Sequence, residues 1–238
     1  MIWLSHFKYD PLKPLLNSEN RAIEYFVRRL KGEKVGPISW IWDLPEIKKT
    51  LSKQKEDGSF KHYKKIDIYP NHHHSLVETW KRFRHLVNRY KLTRDHPKGK
   101  KAAEFILSCQ TKEGDIRGMI GNQYATYYTG AMMAHLIKAG YARDPRIEKG
   151  FQWLLDMRHT DGGWTVPMQT HELSREESNM VTSEYAKPLE PKRDQPSSRL
   201  ATDMVLRAFA ADPLDRYPKV ARRAGNLLKS WFFKPDHY

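Results

Sequence analysis

Few side chains in this sequence have the means to do chemistry, and they are scattered. Asp203 stands alone among apolar neighbours in LATDMVL. An acid so placed either faces an interior cavity, where desolvation keeps a carboxyl protonated, or sits near a helix N-terminus, where the helix dipole favours its charge. His72, His73 and His74 follow Asn71 just ahead of a helical pattern. Three imidazoles could bind metal or move protons. Adjacent residues point in different directions, however, so a solvated first helical turn is the competing reading and no metal site is expected. Tyr127 and Tyr128, with His135 two turns further on, suit an open polar groove or an aromatic wall that steadies a cation through its π faces. Packing of the tyrosines against neighbours explains them equally well. His72, His74, Tyr127, Tyr128 and His135 are thus the cavity or binding candidates, Asp203 is the candidate acid, and no cofactor is called for.

These residues need a scaffold, and hydrophobic periodicity supplies one. GAMMAHLIKAGY (130–141) and LATDMVLRAFAA (200–211) are apolar nearly all round, which predicts helices buried on most sides. HSLVETWKRFRHLVNRY (74–90) holds the equivalent place earlier and is more polar. Between these lie amphipathic segments: Ile147, Phe151, Leu154 and Leu155 follow the helical spacing, as do Val220, Leu227, Leu228 and Trp231. Gly140, Asp144-Pro145, Asp95 to Pro97 and Asp212-Pro213 supply stop signals between them. The chain alternates a mostly buried helix with an amphipathic one.

A repeat runs through the amphipathic helices. Gln54, Gln110 and Arg158 are each followed, after three residues, by a glycine (Gly58, Gly114, Gly162), one residue, and a large apolar side chain (Phe60, Ile116, Trp164). An acid precedes each glycine: Asp57, Glu113 and Asp161. Nine residues before the second and third anchors stand Lys101 and Lys149, each followed by a small residue; a looser fourth copy keeps Arg223 and Ala224. Glycine takes positive φ without a Cβ clash, so each of the three should form the turn that ends a helix. One helical hairpin cannot bury its own apolar stripe, which predicts stacking of units side by side.

The third copy, KGFQWLLDMRHTDGGW (149–164), resembles the QW repeat of squalene-hopene and oxidosqualene cyclases, shared in looser form with protein prenyltransferase β subunits. Arg158 stands where the family has glutamine; Gln54 and Gln110 keep it. The stretch DPLKPLLNSENRAIEYFVRRL is similar to the start of prokaryotic proteins of this kind whose chemistry is unassigned. The resemblance implies an all-α α/α-toroid, incomplete and open after the fourth copy, in one domain over 1–238, with a polar, proline-bearing loop insertion at 169–197 acting as a lid or as a dispensable insert. It implies a hydrophobic ligand, isoprenoids included, in a central cavity. It does not imply catalysis, because the family's chemical motifs are missing. No DxDD occurs, and the nearest approach, Asp212 and Asp215 in DPLD, reads as helix capping. There is no DDxxD, and Cys109 lacks the aspartate two residues before it that a prenyltransferase zinc site needs, so it reads as a small core residue. The alternatives are a non-catalytic scaffold that binds a protein or peptide, and a polysaccharide-lyase-like toroid working with His and Tyr in a groove.

Charge bears on partners. Lys plus Arg number 42 against 28 Asp plus Glu, a net +14. The run KRFRHLVNRYKLTRDHPKGKK (81–101) concentrates this, which suits an anionic membrane surface or a solvated face. No nucleic-acid-binding motif accompanies the charge, so nucleic acid is not an expected partner. HELSR (171–175) lacks the second histidine of a zinc-protease helix. A single cysteine, no apolar window long enough to span a bilayer and no signal-like N-terminus place the chain in the cytoplasm, at most peripheral to a membrane. A second subunit could close an open array.

Overall fold

The structure is a computed structural model and describes residues 2–61, 74–183 and 186–234. The all-α expectation holds: the described residues contain eleven α-helices and no strand. They fall into two compact units, Met1–Ser52 and Lys53–Tyr238.

The first unit carries α1 (Lys13–Leu16), α2 (Arg21–Leu30), α3 (Ser39–Trp42) and α4 (Pro45–Leu51). Asn20 caps α2, its Oδ1 accepting from the N–H groups of Ala22 and Ile23 at 3.1 Å. Tyr25 of this helix is buried and donates its hydroxyl to the carbonyl of Gly36 at 2.8 Å, which ties the loop after α2 back onto the helix.

In the second unit the order is α5 (His74–Tyr90), α6 (Pro97–Ser108), α7 (Thr126–Leu136), α8 (Pro145–Asp156), α9 (Arg175–Val181), α10 (Arg199–Ala211) and α11 (Pro218–Ser230). Helices α5, α7 and α10 lie side by side as an inner layer, and each packs on the outer helix that follows it: α6, α8 or α11. All three outer helices open on a proline, whose fixed φ suits a first helical position and whose missing N–H costs nothing there. His96 and Asp144 cap α6 and α8 through Nδ1 and Oδ1.

Burial follows position in the layer. Between α5 and α10, α7 is buried at every residue from Thr129 to Leu136. Glycine at 130 permits this closeness, since a Cβ there would lie 2.6 Å from the Cα of Val205 on α10. Helix α10 differs from its expectation. Ala201, Thr202, Val205, Ala208 and Phe209 are buried, but Leu200 is 62% exposed and Arg207 and Ala210 face solvent. It has α7 on one side only among the described inner helices, so half of an apolar pattern stays uncovered. Helix α11 shows the same effect more strongly: Val220, Leu227, Leu228 and Trp231 are half-buried, and only Ala224 is fully so.

The described residues of 169–197 are not all loop. The segment holds α9, started by a reciprocal capping box between Ser174 and Glu177. The buried amide of Gln123 fastens it, donating to the carbonyls of Val181 at 2.5 Å and Lys187 at 3.0 Å and accepting from the N–H of Leu189 at 2.9 Å. Asn122 adds a bond to the carbonyl of Ala186 at 2.8 Å. The described part of the segment is a strap bound to residues 122–124.

Candidate functional site

The three glycine turns share one set of bonds. The N–H groups of Lys55, Thr111 and His159 donate to the carbonyls of Ser59, Asp115 and Gly163 at 2.8, 2.8 and 2.9 Å. Gly58, Gly114 and Gly162 have φ of 88°, 122° and 102°, in the left-handed region that favours glycine. Each is seated on the next outer helix at its basic register residue. A Cβ at 58 would meet the carbonyl oxygen of Lys101 at 2.2 Å, one at 114 that of Lys149 at 2.7 Å, and one at 162 the Nε of Arg223 at 2.5 Å. Two residues beyond each glycine, the N–H of Phe60, Ile116 and Trp164 donates to the hydroxyls of Thr79, Thr129 and Thr202 at 3.0, 3.1 and 2.9 Å. Those threonines belong to the following inner helices. The three apolar side chains are buried; Trp164 also donates Nε1 to the carbonyl of Leu154 at 2.6 Å and stacks on Phe209, ring centroids 5.6 Å apart.

The anchor residue separates the third turn from the others. Gln54 donates Nε2 to the carbonyls of Gly58 and Lys98 at 3.0 and 2.9 Å, and Gln110 donates Nε2 to those of Gly114 and Arg146, both at 2.8 Å. One amide thus closes its own turn and holds the first turn of the next outer helix. Arg158 makes neither bond. Arg223 ties the third turn from the opposite side, donating to the carbonyls of Thr160 at 2.6 Å and Asp161 at 3.4 Å. Burial and the nearby Arg223 charge both push the Arg158 guanidinium below its usual range.

Several cavity candidates lie on the inner layer. Tyr127 and Tyr128 begin α7 with ring centroids 4.1 Å apart, and Tyr128 meets Trp80 of α5 edge-on at 5.4 Å. Arg84 lies over that indole, 4.6 Å from its centroid. Burial, with the neighbouring Tyr128, pushes the Tyr127 phenol above its usual range, so it stays protonated. His135 is buried: Nδ1 lies 2.5 Å from the carbonyl of Ala131, and Nε2 lies 3.1 Å from the amide nitrogen of Asn88. These contacts fit a neutral ring that donates from Nδ1 and accepts at Nε2. Burial, reinforced by Lys138, Arg84 and Arg207, lowers its pKa to about 4. His74 is the first residue of α5, half-buried; His72 lies outside the described residues.

A cleft of about 300 Å³ opens where α7 and α10 begin, lined by Ile120, Tyr127, Val166, Met168, Leu200 and Ala201 with the polar Gln169 and Ser198. No carboxylate, histidine or cation is among these. Across Leu200 lies a second cleft of about 530 Å³ between α10 and α11, bounded also by Asp203, Leu228, Trp231 and Phe232. Asp203 therefore faces an open cleft rather than an interior cavity. It is a full turn into α10, its side chain is 43% exposed, and it is paired with Arg207. Asp212 accepts from the N–H groups of Leu214 and Arg216 and pairs with the Arg216 guanidinium at 2.9 Å, an interhelical brace. Cys109 is half-buried, its thiol pushed up to about 11 by burial.

Sequence reasoning missed the three threonines and Gln123. The threonines fall within the first two turns of successive inner helices, a recurrence visible once the helix starts are known. Gln123 had no such signal.

Residues 74–186 match the family described as squalene-hopene cyclase C-terminal domain. The match runs from α5 through α9 and takes in the second and third turns. The cyclase-like segment thus contains one turn with the glutamine and one with the arginine. No curated protein matches the chain, and no solved structure does.

Proposed function

We propose that the second unit is a terpene-cyclase-like repeat module that binds an apolar, isoprenoid-like ligand in the cleft beside Tyr127, without acid chemistry of its own. The carrying observation is the lining of that cleft: six apolar or aromatic side chains, two neutral polar ones and no carboxylate, histidine or cation. Its volume is at the lower end for a small-molecule site, and Leu200, shared with the wider cleft, gives a longer ligand somewhere to extend. A phenol that stays protonated can donate one hydrogen bond to a polar head group while its ring packs on the chain.

Incubation of the full chain with squalene and with prenyl diphosphates, followed by extraction and mass spectrometry, tests the reading. Retention of unchanged ligand, reduced at least tenfold in Ala201→Trp, which fills the cleft, supports it. Retention unaffected by that variant would sink it, and turnover would show that an acid had been overlooked. The exposed apolar cleft between α10 and α11 favours a second reading, a scaffold that docks a peptide there; protection of Trp231 from quenching by a bound partner, without ligand retention, would select it. Docking of 81–101 on an anionic membrane is a separate proposal, checked by co-sedimentation with vesicles of acidic and neutral lipid.

A further inference from the structure

The N-terminal unit has a cleft of its own, about 420 Å³, which the repeat module does not account for. One wall is an aromatic pair. Tyr25 is buried and fixed through its hydroxyl to the carbonyl of Gly36, and Trp40 stacks against it, centroids 6.1 Å apart with 25° between the planes. Trp40 nevertheless remains 44% exposed, so an indole edge is held rigidly at the cleft. Val35 adds apolar surface beside it.

The charges around this wall do not balance. Arg21, Arg28 and Lys34 line the cleft against one carboxylate, Glu24. Glu24 is already paired with Arg28 at 2.9 Å, and the nearby Glu33 is paired with Lys31 at 2.7 Å. That bond to Lys31 holds the Glu33 carboxyl below its usual range. Arg21 lies over the Trp40 ring, 5.8 Å from its centroid, and neither Arg21 nor Lys34 has a carboxylate partner among the described residues. One forked guanidinium and one ammonium therefore flank a fixed aromatic edge with their charge uncompensated. A guanidinium matches two phosphate oxygens at once, and an ammonium adds a point charge to a third.

We infer that this cleft binds an organic phosphate, the phosphate held by Arg21 and Lys34 and a flat ring system packed against Trp40 and Val35. At about 420 Å³ the cleft falls within the size range of small-molecule sites. Both cations are on the surface, so their removal leaves the buried Tyr25 and its bond to Gly36 in place, although Arg21→Gln also gives up the contact with the Trp40 ring.

Isothermal titration of the full chain at about 0.15 M salt, where long-range surface attraction is screened, provides the test. The probes are adenosine monophosphate, inorganic phosphate and adenosine. The monophosphate should bind, inorganic phosphate should bind more weakly, and adenosine should not bind measurably. Arg21→Gln and Lys34→Gln should each weaken the monophosphate roughly ten- to hundredfold, the range expected for losing a hydrogen bond to a charged group. Lys49→Gln, on α4 and outside the cleft, should leave it unchanged, with melting curves verifying the fold of all three. Equal weakening by Lys49→Gln would reduce the effect to net charge, and binding of adenosine as tight as that of its monophosphate, or no binding by any probe, would overturn the proposal. Retention of squalene or prenyl chains should be the same in Arg21→Gln as in the unaltered protein, which keeps this outcome separate from that of the repeat module.

Discussion

The second and third glycine turns have nearly the same backbone and are held by opposite partners. In the second, Gln110 reaches forward to the first turn of α8. In the third, Arg158 reaches nothing equivalent, and Arg223 of α11 reaches back instead. The backbone bonds, the positive φ and the threonine tie are common to both. The comparison separates what the turn requires from what it tolerates. Glycine and a hydroxyl from the next inner helix belong to the first group, and the source of the side-chain lock belongs to the second.

Four sets of substitutions, in descending size, test that separation. Trp164→Ala should lower unfolding free energy by about 3 to 5 kcal/mol in urea denaturation. It should exceed Ile116→Ala, because the indole also loses the stack on Phe209 and the bond to Leu154; equal losses would mean that the third turn gains nothing from its larger side chain. Gly114→Ala should cost more than the roughly 1 to 2 kcal/mol of left-handed strain alone, since the new methyl meets the backbone oxygen of Lys149, which cannot retreat. Gly162→Ala meets only the Arg223 side chain. Made in an Arg223→Ala background, it should cost the strain and no more, and a double-mutant cycle measures the difference.

Thr129→Val and Thr202→Val should each cost about 1 to 3 kcal/mol, the penalty of leaving a buried N–H without an acceptor. Near-equality of the two is the prediction, and a large disparity would break the claim that the hydroxyl tie is common. The smallest effect is a gain. Arg158→Gln should stabilise by about 0.5 to 1.5 kcal/mol, the worth of a typical hydrogen bond, by letting an amide reach the carbonyl of Gly162 and the first turn of α11. Gln110→Arg should do the reverse, and thermal melts of the pair would show both signs.

The turn glycines, their anchors and the alternation of inner and outer helices were legible because each rests on local spacing, which one strand of sequence contains. Thr79, Thr129 and Thr202 were not, because a threonine inside a helix becomes a tie only through the turn it faces, and that turn lies 13 to 38 residues earlier. The exposure of Leu200 and Arg207 was missed for a related reason: an apolar pattern records what a helix could bury, and its neighbours decide how much it does. Asp203 looked like an interior acid among apolar letters, yet Arg207, one turn along the same helix, neutralises it at the surface. The strap at 169–197 has weak periodicity, and its order comes from Gln123, far away in sequence. The clefts are gaps between elements, so no motif encodes them.

The threonine ties also bear on the order in which the chain matures on the ribosome. Each turn leaves an N–H waiting for a hydroxyl that has yet to be synthesised, 19 residues later for Phe60, 13 for Ile116 and 38 for Trp164. At roughly 5 to 20 residues per second, Thr202 follows Trp164 by about 2 to 8 seconds. The strap is made within that interval. The third turn is therefore the last of the three to be locked, and a chain interrupted before Thr202 would present its most deeply buried tryptophan among the described residues, Trp164, to the quality-control machinery of the cell.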